Sequence, residues 1–167
     1  MLVAPIAHLE AIGLEEANAA LEQWGHRVGP CRRPNGHLWA HGLFEHGALV
    51  AVAVSAALIR ERCQEFDRAQ AFELARLCAA RPHLCRPMLR LWREFVFPSL
   101  CRCHGWDWAV SYQDEALHSG DLYRFDGWVR LGRSRSGRDP RSGRQGRTKT
   151  VWGWHEDGAV RAAARRA

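Results

Sequence analysis

Leu14, Ala17, Leu21 and Trp24 recur at helical spacing, so a helix is predicted from about His8 to Trp24, broken or kinked near its start by Gly13. Ahead of it, Leu2-Val3-Ala4 before Pro5 reads as a short opening strand. Val28–Gly36 is rich in proline and glycine and reads as a loop. His37–Phe44 and Ala48–Ala56 then flank Glu45-His46-Gly47, the pattern of a β-hairpin. Residues 57–70 are mostly polar and predict a surface excursion, and Ala71–Ala79 predicts a third strand of this group.

A long helix is predicted from about Pro87 to Cys103, with Pro87 at its first position. Met88, Leu91, Trp92, Phe95 and Val96 give it a wide apolar face for the core, and Pro98 should bend it or end it early. Asp107–Tyr112 reads as a buried strand, His118–Phe125 as a short helix and Trp128–Leu131 as a strand. Gly132–Arg147 is a Gly/Ser/Arg loop, Thr148–Trp154 a last strand, and residues 155–167 a frayed tail. This order predicts a mixed α/β (α+β) fold. Its central sheet is largely antiparallel and flanked by helices, and the long core helix follows the central strand. A single domain would span residues 1–154, with the loop 133–147 inside it. No GxGxxG and no Walker loop is present, which argues against nucleotide sites of those types.

Composition changes this picture in one place. The 167 residues are 47% hydrophobic and 25% charged, the balance of a globular protein. No apolar run approaches the ~20 residues that span a bilayer, and the first residues lack the basic and apolar regions of a signal peptide. A cytoplasmic protein is the expectation. Of 24 basic residues all but Lys149 are arginine, and the whole net charge of +6 sits in one segment. Residues 124–149 hold nine basic and two acidic side chains, whereas the remainder is nearly neutral. Within that segment Arg135-Ser136-Gly137-Arg138 recurs as Arg141-Ser142-Gly143-Arg144. An open backbone with spaced arginines suits successive phosphates. Arg133, Arg135, Arg138, Arg141, Arg144, Arg147 and Lys149 are therefore candidate nucleic-acid contacts, the alternative being a solvated loop. Trp152 and Trp154 flank the loop and would either stack on bases or pack in the core.

Six cysteines without a secretory framework predict reduced thiols. Cys101-Arg102-Cys103-His104 lacks the second pair that a zinc site needs. His26, Asp114 and Tyr123 are possible ligands for iron or another divalent ion. Without a metal, His26 would close the first helix and Asp114 would cap a strand end.

The strand, helix and Gly-Trp step of SYQDEALHSGDLYRFDGW (111–128) resembles the GNAT (Gcn5-related N-acyltransferase) fold. With GHLWAHGLFEHGALVAVAV (36–54) and FELARLC (72–78), it looks like the phage-associated Mom-like DNA-modification proteins within that superfamily. The resemblance implies an acyl-CoA donor, such as acetyl-CoA, and an amine acceptor. The Mom-like branch implies the exocyclic amine of adenine in DNA, which must leave the base stack to react.

Acyl transfer needs a cradle for the donor's diphosphate and an acid for the leaving thiolate. A helix start directly after a strand supplies the first. That place is held here by Leu77, Cys78, Arg81, Cys85, Arg86 and Met88. The family's Q/RxxGxG/A loop belongs there, yet no glycine lies between Ala79 and Arg86. Tyr123 matches the family's acid, and a phenol of pKa ~10 suits a thiol of ~8.5; otherwise it is a core aromatic. Glu73 is a candidate base or water relay, or else a salt-bridge partner, and Asp114 would line the pocket. Two alternatives accompany the DNA-modifying enzyme. One is a generic N-acetyltransferase acting on a small amine or a protein; the other is an inactive GNAT-like module that only binds nucleic acid.

Overall fold

A computed structural model describes residues 6–33, 37–135 and 147–165, with Arg135 described in its backbone alone. The elements are β1 (Ala7–Ile12), α1 (Leu14–Gln23), β2 (Leu38–Glu45), β3 (Ala48–Ala57), β4 (Arg62–Cys63), β5 (Phe66–Asp67) and β6 (Ala71–Ala79). They continue with a 3-10 turn (Pro82–Leu84), α2 (Cys85–Leu91), a π turn (Trp92–Val96) and α3 (Phe97–His104). Last come β7 (Trp108–Asp114), α4 (Asp121–Phe125), β8 (Val129–Arg135), β9 (Thr148–Trp154) and α5 (Gly158–Ala164). A seven-stranded sheet runs in the order β1-β2-β3-β6-β7-β9-β8, and β4 and β5 form a separate ribbon. The pairs β1–β2, β2–β3, β7–β9 and β8–β9 are antiparallel. The predicted mixed α/β fold is what the chain adopts. No helix among the described residues is long and apolar enough to cross a membrane.

The chain divides into two compact units, Met1–Ala57 with Glu73–His104, and Leu58–Phe72 with Gly105–Ala167. In the first, Ala17, Ala20 and Leu21 of α1 bury against Ala40, Val52 and Val54 on one face of the β2–β3 hairpin. The long helical segment belongs to this unit, and Trp92 donates its indole N–H to Ser55 Oγ at 2.9 Å. Met88, Leu89, Trp92 and Phe97 are fully or almost fully buried. In the second unit, Trp108, Val110, Val129 and Val151 enclose Cys63 and Phe66.

Several boundaries differ from the sequence reading. The residues before Gly13 are strand β1 and not helix, and the predicted strand at Leu2-Val3-Ala4 lies outside the described residues. The helical segment opens at Pro82 as a 3-10 turn, ahead of the predicted start, so Pro87 is the third residue of α2. It still costs little there, because a first-turn N–H has no partner within the helix. Pro98 does not end the helix. A π turn stands directly before it, and the chain stays helical to His104. Proline cannot donate to the carbonyl four residues back, and a wider turn absorbs that missing bond. The 57–70 excursion is anchored by its ribbon. Residues 158–164 form a helix, with the Asp157 carboxylate accepting the Ala159 N–H at 2.7 Å.

Candidate functional site

The two units hold different sequence-predicted residues. In the first, β6 presents Glu73, whose carboxylate accepts from Arg33 at 2.7 Å. Arg33 also donates to the Ala57 carbonyl at 2.7 Å, and the two paired side chains are only 11% and 12% exposed. The loop after α1 is thereby tied to the sheet. A second tie comes from Arg76, which donates to the Gly29 carbonyl at 3.0 Å. Burial pulls the Arg76 guanidinium below its ordinary value, while the Glu73 charge opposes that shift. Glu73 is the salt-bridge partner that one sequence alternative allowed, although its arginine comes from the loop.

The predicted coenzyme segment leaves β6 at Ala79 and enters the 3-10 turn at Pro82. Arg86 is exposed, and Arg81 meets Glu45 at 2.5 Å across a half-exposed pair. Leu77, Cys78 and Cys85 are partly accessible. Met88 has no accessible surface and belongs to the core, which removes it from any coenzyme contact. Several backbone donors are already engaged: Ala80 donates to Val50, Leu84 to Arg81 and Cys85 to Pro82. Burial pushes both thiols up, Cys85 to about 11, so they remain neutral at ordinary pH.

In the second unit, side-chain alternation sorts β7, β9 and β8 into two faces. Val110, Tyr112, Val151 and Val129 face the core cluster, with the Tyr112 hydroxyl 2.9 Å from Cys63 Sγ. Opposite them lie Ser111, Gln113, Thr150 and Trp152. Arg130 pairs with Trp152 and Arg133 with Thr150, although three residues apart would ordinarily mean opposite faces. A bulge between Arg130 and Gly132 absorbs Leu131 and restores both arginines to one face.

Tyr123 lies over this face. Its hydroxyl is 2.8 Å from Ser111 Oγ, its ring is stacked on Trp152 at 5.8 Å, and it meets Trp128 edge-on at 5.2 Å. Trp152 in turn donates to Gln113 Oε1 at 2.9 Å, and Gln113 Nε2 donates to the His118 carbonyl at 2.5 Å. Gly120 stands just before α4 at φ +81°, and a Cβ there would lie 2.5 Å from Gln113 Oε1 and 2.9 Å from Trp152 Cζ2. Gly120→Ala is therefore expected to lower unfolding stability by ~2 kcal/mol, read from the urea midpoint. An unchanged midpoint would contradict this packing.

Beside the tyrosine is a cleft of about 730 Å³ whose lining includes Gln113, Glu115, Thr150, Trp152, Arg130 and Arg133. Glu115 accepts the Thr150 hydroxyl at 2.7 Å and Arg133 Nε at 3.0 Å, with Arg130 at 4.0 Å. The Thr150 hydrogen bond, with help from these arginines, holds its carboxyl below the ordinary value. Asp114 is paired with Arg147 and also accepts the Ala116 N–H at 3.1 Å, so it caps the strand end.

Among the described residues no three or more His, Cys, Asp or Glu side chains are grouped to hold an ion. Of the candidate ligands, His26 belongs to the first unit, and Asp114 and Tyr123 to the second, where Asp114 pairs with Arg147 and the Tyr123 hydroxyl with Ser111. The basic residues are also partly occupied: Arg133 faces Glu115, Arg147 faces Asp114, and Lys149 lies 5.9 Å over the Tyr112 ring. The Arg135 side chain and residues Arg138, Arg141 and Arg144 lie outside the description. Trp152 and Trp154 share a face but are only 8% and 5% exposed, so they pack and do not offer a ring to a base. Sequence reasoning missed Glu115, Arg130, Arg124 and Arg165 as cleft residues. The one legible signal was the acidic Asp114-Glu115 step at a strand end.

No protein-family model matches the chain, and no curated protein matches it in sequence. Solved structures do match in fold. A spermidine N-acetyltransferase mutant of Vibrio cholerae aligns with a TM-score of 0.64 at 10% identity, over 95% of this chain and 98% of that one. A ribosomal-protein-S18-alanine N-acetyltransferase of Escherichia coli gives 0.59 at 13% identity, over 89% and 93%. A Salmonella typhimurium protein described as an acetyltransferase and solved with acetyl-CoA gives 0.62 at 14% identity, over 92% and 95%. The chain has the fold of GNAT acetyltransferases along nearly its whole described length.

Proposed function

We propose that this chain is an N-acyltransferase that moves an acyl group from acyl-coenzyme A to an amine. The observation that carries the proposal is Tyr123, a phenol in an acetyltransferase fold, with its hydroxyl oriented by Ser111 and its ring fixed by two tryptophans. When bound, the coenzyme supplies a thioester-activated acyl group. A phenol keeps its proton at neutral pH, so Tyr123 Oη can hydrogen-bond the leaving thiolate and hand its proton over as the C–S bond breaks. Ser111 accepts or donates in the same hydrogen bond and keeps the phenol in one rotamer. Neither Glu73 nor Asp114 is assigned a proton-transfer step, because each carboxylate is committed to an arginine.

The residues at the start of the long helix fit a diphosphate by charge. Arg86 is exposed at the helix start, Arg81 beside it is shared with Glu45, and the neighbouring neutral thiols add no opposing charge. Engaged backbone donors make the guanidiniums the main attraction, which gives a test by calorimetric titration. Acetyl-CoA is expected to bind saturably, with Arg86→Ala weakening it about tenfold. Absence of binding to the folded protein would remove the donor from the proposal.

A second reading takes the exocyclic amine of adenine in DNA as the acceptor, as in a Mom-like enzyme. One observation favours it, the nine basic side chains within residues 124–149. Mass spectrometry of nucleosides from a host expressing the chain would then show a modified deoxyadenosine that is missing with Tyr123→Phe. The generic amine acetyltransferase predicts an unchanged nucleoside profile, and the fold relatives favour it.

A further inference from the structure

We infer that the cleft beside Tyr123 is a binding site for a phosphate ester other than the acyl donor. Arg124 of α4, Arg130 and Arg133 of β8, and Arg165 after α5 all line it, against the single carboxylate of Glu115. Two consecutive elements and the residue after α5 thus bring guanidiniums to one concavity. The bulge in β8 places two of them on the same face, and α5 brings in the last. A chance surface distribution of arginine would not need that bulge.

Charge and exposure narrow the ligand. Arg133 and Arg130 share Glu115, and Arg124 pairs with Asp121 at 2.7 Å. The four cations against two carboxylates leave an excess of two positive charges. A phosphomonoester dianion, or two consecutive phosphodiesters, matches that excess. The arginine side chains of these pairs are 52% to 62% exposed, so water screens the pairs and each is exchangeable for a stronger anion. Planar guanidiniums also hold phosphate oxygens in bidentate fashion. The cleft volume of about 730 Å³ lies within the range of small-ligand sites. Trp152 and Trp128 are too buried to stack on a base, so recognition falls on the phosphate.

The phosphate ester could belong to a free nucleotide or to a nucleic-acid strand, and two probes separate these sources. Thymidine monophosphate and a short oligothymidylate are titrated into the full chain without any acyl donor, so failure of acyl transfer does not affect the result. At least one probe is expected to bind saturably, with affinity falling steeply as salt rises. Binding of both assigns a free ester, and binding of the oligonucleotide alone assigns a strand. Arg130→Ala is expected to weaken binding about tenfold. Glu115→Gln, which keeps an acceptor for Thr150 while freeing two guanidiniums, is expected to tighten it several-fold. Far-ultraviolet circular dichroism of both variants checks that they fold. Binding of neither probe, displacement of the bound probe by coenzyme A, or affinities unchanged in both folded variants would overturn the inference.

Discussion

Tyr123→Phe is expected to lower the rate of acyl transfer by roughly a hundredfold or more, while the donor still binds and the chain still folds. The substitution removes one oxygen and keeps the ring that stacks on Trp152 and meets Trp128. Its stability cost is the lost hydrogen bond to Ser111, ~1 kcal/mol. The two outcomes separate chemistry from packing. If the tyrosine served only as a core aromatic, Phe would leave turnover at the wild-type level, because phenylalanine packs as well. A kcat measured with saturating donor, beside a donor titration on the same variant, decides between them. A fall in kcat with unchanged donor affinity is the expected result.

The second large effect is on folding. Glu73→Ala is expected to lower unfolding stability by ~3–5 kcal/mol, because it strands the Arg33 guanidinium beside β6 without its counter-charge. The pair is nearly closed to solvent, at 11% and 12% exposure, so screening does little to soften the loss. Replacing both partners with apolar residues, as in Glu73→Leu with Arg33→Met, should recover most of that stability. Urea denaturation of the two variants gives the comparison. A base acting in catalysis would behave differently, losing turnover in Glu73→Gln while keeping the folded state intact. Equal stability of Glu73→Ala and the wild type would contradict the buried pair.

Why some elements were legible in the sequence and others were not follows from what each depends on. The β2–β3 hairpin shows its alternation and its Glu-His-Gly turn locally, so the sequence and the structure agree there. Strand β1 has no such signature. Among the described residues it pairs only with β2, its burial along the strand is irregular, and its sparse apolar residues run into the helix that follows Gly13. The long helix was legible from its apolar face, but its π turn reflects how the segment accommodates Pro98, which spacing does not report. The last helix was missed because its residues have weak apolar periodicity. Its signals are the Asp157 cap and the Arg161 guanidinium, 4.0 Å over the Trp154 ring.

At the candidate site the same distinction holds. Tyr123 stood out by motif, whereas its partner Ser111 is one hydroxyl in a buried strand and becomes visible only through the fold. The partner of Glu73 was unreadable for a similar reason, since Arg33 lies 40 residues away in a loop. Strict alternation would have placed Arg130 and Arg133 on opposite faces, and only the bulge at Leu131 brings them together over Glu115. Met88 illustrates the reverse error. Its position at the helix start suggested contact with a ligand, but the helix turns it fully into the core.

The most direct measurement is transfer of label from isotopically labelled acetyl-CoA to a set of amines. Polyamines, peptides with free N-termini, and adenine-containing DNA are offered to wild-type protein and to Tyr123→Phe, with products identified by mass spectrometry. The account predicts a labelled amide on at least one amine class, formed at least about a hundredfold more slowly by the variant. Label that stays on the coenzyme with every class, while the folded protein binds acetyl-CoA, would contradict it.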